Sequence, residues 1–147
     1  MGSKKSERIV RRVQEYVDLC ERCLVCYWPK YVKSWERVLE VHHLCGRRGG
    51  MDCWDARNLA LICRRCHSDF HNGHSQRPLT LGHLLTCKKE EDGEVDLKFL
   101  ASLLRRAGLK EEPLPLPDWV TKEREANYAK AKWAAKGRSP RQNGSGI

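Results

Sequence analysis

Apolar residues along the chain recur in two rhythms, and the switch between them marks the elements. Ile9, Val13, Tyr16 and Val17 fall three and four apart, which predicts an amphipathic helix from Ile9 to Leu19 that runs into the first cysteines. Val38 to Leu44, rich in Val and Leu, reads as a strand. The basic turn Gly46-Arg47-Arg48-Gly49-Gly50 follows, and Leu59 to Ile62 reads as a second short strand. Residues Arg64 to Asn72 have helical character and stop at Gly73, a residue that takes a left-handed cap at little cost. Farther on, Leu97, Leu100, Ala101 and Leu104 keep the spacing of a core-facing stripe, predicting a helix from Val95 to Ala107. Pro113-Leu114-Pro115-Leu116-Pro117 then enforces an extended connector. A last helix is predicted from Trp119 to Lys136, with Trp119, Ala126, Ala129 and Trp133 on its packing face.

This order divides 147 residues into one small domain with attachments. A polar, disordered start over 1–7 precedes a central unit over 8–76. A helical extension over 77–112, the connector over 113–118, the helix over 119–136 and a disordered tail over 137–147 complete the division. No apolar run approaches the roughly 20 residues that span a bilayer, so the chain is expected to be soluble and away from membranes. The formal charge of +9 favours a polyanion as partner. The surplus is uneven: from Trp119 onward there are 7 basic and 2 acidic residues, Lys122 and Lys132 among them. The last helix is expected to dock on the domain through its Trp residues and leave its basic groups outward for phosphate, with stacking of the Trp residues on bases as the alternative. A chain shortened to end near Gly108 should keep its central chemistry and bind a polyanion less tightly.

Eight cysteines in a reducing compartment are first tested for metal ligation. Cys23-x-x-Cys26 and Cys63-x-x-Cys66 are two pairs at the spacing that lets both thiolates of a tight turn meet one ion, and two such pairs complete a tetrahedral zinc site. The second pair opens the helix at Arg64, where the helix dipole also favours thiolate. Cys20-x-x-Cys23 is an equally spaced competitor for the first half. Cys45, Cys53 and Cys87 read as ordinary reduced thiols. Few large aliphatics lie between Cys20 and Gly73, so zinc is expected to stand in for core there.

Histidines interleave with the cysteine pairs. His42 and His43 are neighbours on a strand and point to opposite faces, so the two do different jobs. His67 and His71 are four apart and share one helix face, which is how two imidazoles reach one metal. His74 and His83 read as ordinary surface or packed residues. Arg47, Arg48, Arg57, Arg64 and Arg65 lie close in sequence to these histidines and, as a group, suit the clamping of a phosphate backbone.

The segment from Leu39 to His71, LEVHHLCGRRGGMDCWDARNLALICRRCHSDFH, resembles an HNH nuclease. The likeness covers about half of the chain and rests on the spacings from His43 to Asn58, Asn58 to His67 and His67 to His71. It implies an α+β fold: a ββα-metal (His-Me finger) core on a treble-clef zinc finger, flanked by N- and C-terminal helices. It further implies a DNA endonuclease of a bacterial or phage-infected cytoplasm that leaves 5′-phosphate and 3′-hydroxyl ends. In that likeness His43 matches the general base, an imidazole neutral near pH 7. Asn58 matches the residue that orients it, its carbonyl accepting from His43 Nδ1–H. His42 and His67 match ligands of one divalent cation, with His71 either a third ligand or a phosphate contact. An all-imidazole set favours Zn, Ni, Co or Mn over Mg. Duplex DNA is the implied partner, a homodimer or another DNA-processing protein is left open as a further one, and no heptad or obvious dimer surface is legible in the sequence. The competing reading is a non-catalytic, zinc-dependent DNA-binding module on the same scaffold.

Overall fold

The computed structural model describes residues 4–46, 53–92 and 97–135, together with their side chains except those of 92, 97 and 131–135. Among the described residues it holds five α-helices and one two-stranded antiparallel sheet, a mixed α/β arrangement. Helix α1 (Lys4–Leu19) leads into a cysteine turn. The hairpin of β1 (Leu39–His43) and β2 (Leu59–Cys63) follows, and then α2 (Arg64–Asn72). Helices α3 (Leu81–Asp92), α4 (Leu97–Arg106) and α5 (Asp118–Ala135) complete the chain. No described helix is long and apolar enough to cross a membrane.

The pairing of Leu39 with Cys63 through His43 with Leu59 fixes which side chains share a face. Side chains alternate along a strand, so Glu40, His42, Ala60 and Ile62 occupy one face and Leu39, Val41, His43, Leu59 and Leu61 the other. The second face is covered by α1, whose buried Tyr16 joins Leu59 and Leu61 in a small apolar cluster edged by Val13, Val17 and Val41. Tyr16 Oη also accepts the Leu61 N–H at 3.1 Å. The first face belongs to a larger core that runs from the cysteine turn through Leu84, Leu85, Leu100, Leu103 and Leu104 to Val120.

The helices depart from the sequence expectations at four places. Helix α1 begins at Lys4, inside the segment expected to be a disordered start. Helix α3 escaped the periodicity reading because it has no one-sided apolar stripe. Its inner surface includes Lys88, 1 % exposed, whose Nζ donates to Ala56 O at 2.9 Å and Leu59 O at 2.7 Å. A buried ammonium supplying two backbone carbonyls looks, in sequence, like a break in a helical stripe. In α4 the core takes Leu100, Leu103 and Leu104, while Ala101 is exposed.

Helix α5 departs most. Ala126 and Ala129, expected to pack, are exposed, and the side chain of Trp133 lies outside the described residues. The inward stripe is buried Val120 and Asn127 with half-buried Glu123 and Arg124 between them, spaced like a helical stripe but mostly polar. Trp119 does dock, donating its indole N–H to Pro78 O at 2.9 Å beneath the Arg77 guanidinium. A polar helix face is buried where its neighbour is polar, and the neighbour here is the cysteine turn.

Candidate metal centres

The ligand atoms of Cys23, Cys26, Cys63 and Cys66 all lie within 4.8 Å of one another, and all four residues are buried. This group can hold a structural metal ion such as zinc. Cys20 stays at the end of α1, outside the cluster, and Cys45, Cys53 and Cys87 are also apart from it. The local fold explains the choice. The Cys23–Cys26 segment is a tight turn in which Cys26 N–H and Cys63 N–H both aim at Cys23 Sγ, at 3.5 and 3.2 Å. The turn ends at Tyr27 with φ of 66°, a left-handed residue whose ring lies between the guanidiniums of Arg22 and Arg124. On the other side, Cys63 caps α2 and accepts the Cys66 N–H, so the helix N-terminus points at thiolate.

Burial pushes the Cys23 thiol up, while the hydrogen bond from Cys23 helps pull Cys63 down. Four buried sulfurs this close cannot all ionise unaided, and a divalent cation resolves the conflict. The surroundings are prepared for negative charge. Arg37 donates to Cys26 Sγ at 3.3 Å and lies 3.8 Å from Cys63 Sγ, and Arg77 reaches Cys66 Sγ at 3.7 Å. Glu123 of α5 bridges the two guanidiniums, and Asp69 of α2 holds Arg77 at 2.6 Å.

Helix α5 completes this layer. Arg124 donates to Val25 O at 2.7 Å and Leu24 O at 3.2 Å, and Asn127 Nδ2 donates to Cys26 O at 2.8 Å. Its inner face therefore satisfies the carbonyls that the cysteine turn leaves without backbone partners. Helix α5 is thereby built into the walls of the thiolate cluster, with Arg124 turned inward where its basic groups were expected to face outward. A chain ending near Gly108 would lose Glu123, Arg124 and Asn127 together. Lys122 is exposed on the outer face, and the side chain of Lys132 lies outside the described residues.

A second group forms where α2 crosses the Glu40–His42 face of the hairpin. The nitrogens of His42, His67 and His71 lie within 4.8 Å of one another. His42 is 8 % exposed, and its Nε2 is buried with no hydrogen-bond partner among the described residues. Burial, with repulsion from His67, His71 and His43, lowers its pKa to about 4, so it is neutral near pH 7. His67 and His71 are linked through their Nε2 atoms at 2.9 Å. Burial, reinforced by His67, also lowers His71.

Glu40 was missed in the sequence reading. Its Oε1 lies 3.2 Å from His67 Nδ1, a bond in which the carboxylate accepts and turns Nε2 inward as an acceptor. The signal was available: Glu40 stands two residues before His42 and so shares its strand face. Carboxylates in this position orient imidazoles toward metal ions.

His43 lies on the opposite strand face, 8 % exposed, with its ring edge-on to Trp54 at a centroid distance of 4.6 Å. His42 and His43 nevertheless open onto the same cleft, about 360 Å³, walled by Phe70, His71, Leu81 and Leu109. Both histidines sit at the turn end of β1.

Asn58 departs from its expected partner. It is fully buried, and its Oδ1 accepts from Cys45 N–H at 2.8 Å rather than from His43. Its Nδ2 donates to Cys53 O at 2.9 Å and Gly46 O at 3.3 Å. Asn58 thus ties both ends of the loop between the strands, and Leu44 N–H bonds its backbone carbonyl at 2.8 Å. It holds His43 through the backbone. Lys88 supports the same corner by bonding Ala56 O and Leu59 O on either side of Asn58.

The arginines separate. Arg64 bonds Glu40 at 3.4 Å, beside the imidazoles, and Arg65 is exposed. Arg57 is held by Asp55 at 2.9 Å and covers the Phe99 ring, and it lines a different cleft, between α1 and α3. Arg47 and Arg48 lie outside the described residues. His83 accepts the Thr80 N–H at 3.0 Å at the start of α3, a capping role.

Comparison with protein-family models, with curated proteins and with solved structures finds no match for this chain.

Proposed function

We propose that this chain is a metal-dependent endonuclease of the HNH type, built as a ββα-metal core on a treble-clef zinc finger and acting on duplex DNA. The observation that carries the reading is the convergence of three imidazoles, His42, His67 and His71, two of which, His42 and His71, line one cleft with His43. A protein that needed only structural zinc would gain nothing from a second, partly open histidine cluster. Burial of the His42 nitrogen without a hydrogen-bond partner among the described residues costs stability unless a cation takes its lone pair. The donor set fits a divalent ion of borderline softness, Zn, Ni, Co or Mn before Mg.

In this reading His42 and His67 hold the cation and His71 completes the set, with Glu40 fixing the His67 tautomer. When bound, the ion supplies Lewis acidity at a phosphate oxygen and offsets charge on the departing 3′ oxygen. His43 accepts a proton from water as the water oxygen attacks phosphorus. The bond from phosphorus to the 3′ oxygen breaks, and the leaving oxygen takes a proton from solvent. The ends are then 5′-phosphate and 3′-hydroxyl. Trp54 packs against the His43 ring and limits its rotation, while Asn58 and Lys88 anchor the loop that follows it. Arg64 and Arg65 are placed for the phosphate backbone, whose neutralisation makes binding fall steeply with salt.

Cleavage of supercoiled plasmid across Mg, Mn, Co, Ni and Zn tests the proposal. Conversion to nicked or linear product with at least one of these ions is expected, and the product form separates nicking from double-strand cutting. A protein that binds DNA and cuts with none of them would instead be a zinc-dependent binding module.

A further inference from the structure

Trp35 is 72 % exposed, a large apolar ring left in water on a well-anchored segment. It opens a short 3₁₀ turn, Trp35–Arg37, that packs against α2. The turn is fixed at both ends. Arg37 is locked between the thiolate cluster and Glu123, and Arg64 N–H bonds Val38 O at 2.7 Å. Arg64 Nη1 also donates to the Trp35 carbonyl at 3.0 Å, with its guanidinium 5.5 Å from the indole centre. The same Arg64 reaches Glu40, and Glu40 holds His67. An exposed indole and a half-exposed guanidinium are therefore tied, link by link, to an imidazole of the histidine cluster.

Resting on the nuclease reading, we propose that Trp35 and Arg64 form a nucleotide contact, in which Trp35 stacks on an unpaired base and Arg64 holds its phosphate. The chemistry selects an unpaired base. Within a duplex both faces of a base are covered by its neighbours, and only an unpaired or extruded base offers a face to an aromatic ring. The ring is largely open to solvent, and the anchoring of its backbone reduces the ordering entropy lost on stacking. The net charge of +9 places the pair on a protein that attracts polyanions.

The test uses zinc-loaded full-length protein and two fluorescein-labelled DNA duplexes, one fully paired and one with a single bulged thymine. Affinity is read by anisotropy without further divalent ions, so no cleavage is needed. Trp35→Ala is expected to weaken binding of the bulged duplex about tenfold, equivalent to about 1.4 kcal/mol, and of the paired duplex little. Trp35→Phe should keep most of the bulge preference, and Arg64→Gln should weaken both and flatten the salt dependence. The exposure of Trp35 means the fold survives its removal, which unchanged zinc content checks. Equal affinity of wild type and Trp35→Ala for the bulged duplex overturns the inference, as does an equal loss on both duplexes. Plasmid cleavage without a bulge preference would remove this inference alone. A bulge preference without cleavage would retain the contact and remove the nuclease reading.

Discussion

Replacing Asn58 by Asp separates two roles that a sequence motif leaves merged. The change is nearly isosteric. It keeps an oxygen to accept the Cys45 N–H but removes both N–H donations to Cys53 O and Gly46 O. It also places an oxygen about 3 Å from two carbonyl oxygens in a fully buried site. Two buried acceptors lose their partners at about 1–3 kcal/mol each, and burial opposes ionisation of the new carboxyl. Loss of about 4 kcal/mol at pH 7 is expected. A protonated carboxyl regains one donor, so the deficit should shrink as pH falls through the raised carboxyl pKa. Urea denaturation of the zinc-loaded protein, followed by circular dichroism and tryptophan fluorescence, measures the difference. If Asn58 instead oriented His43 through its carbonyl, a carboxylate would make that bond stronger and the variant would cost little. An Asn58→Asp protein within about 0.5 kcal/mol of wild type would refute the loop-tying account.

Further outcomes follow from the two clusters. Arg124→Ala should destabilise the zinc-loaded protein by about 2–3 kcal/mol, because it strips donors from Leu24 O and Val25 O, whereas exposed Lys122→Ala should change stability by less than about 0.5 kcal/mol. Equal, small effects of the two in denaturant titrations would return α5 to the status of an appended arm. Glu40→Gln should weaken divalent-ion binding at the histidine cluster by about tenfold or more in calorimetry, since a neutral amide orients His67 less firmly. Unchanged affinity would show Glu40 to be a bystander. For pH, the folded His42 pKa of about 4 lies below the unfolded value of 6.5. Between these values the unfolded chain binds the extra proton, so the His42 contribution is intact above pH 6.5 and is lost as pH falls toward 4. Relative to His42→Gln, wild type measured without the second ion should lose up to roughly 3 kcal/mol across that window. Parallel stability profiles would argue against a buried neutral imidazole.

What could be read from the sequence was what depends on local spacing. The two Cys-x-x-Cys pairs, the strand alternation that sends His42 and His43 apart, and the helical step from His67 to His71 are each geometric consequences of one element. The structure places Cys23, Cys26, Cys63 and Cys66 in one group and His42, His67 and His71 in another. What depends on contacts between distant elements was not readable. Lys88 sits 29 residues from the carbonyl of Leu59 that it supports, and Arg124 reaches back 99 residues to Val25. Both are charged groups that an apolar-stripe reading assigns to solvent, and both are buried because they complete backbone carbonyls. The apparent surplus of free basic charge is correspondingly smaller: Arg37, Arg77 and Arg124 serve the thiolate cluster and its turn.

The central claim is that His43 performs the proton transfer at a cleft whose histidine cluster is a cation site. It is tested most directly by single-turnover plasmid cleavage with wild type and His43→Ala, each shown to bind zinc and the activating ion equally. His43→Ala is expected to retain DNA binding and both metal sites while cleavage slows by at least about 100-fold, the contribution of a general base. Cleavage by His43→Ala at the wild-type rate, with the same metal dependence, would contradict it.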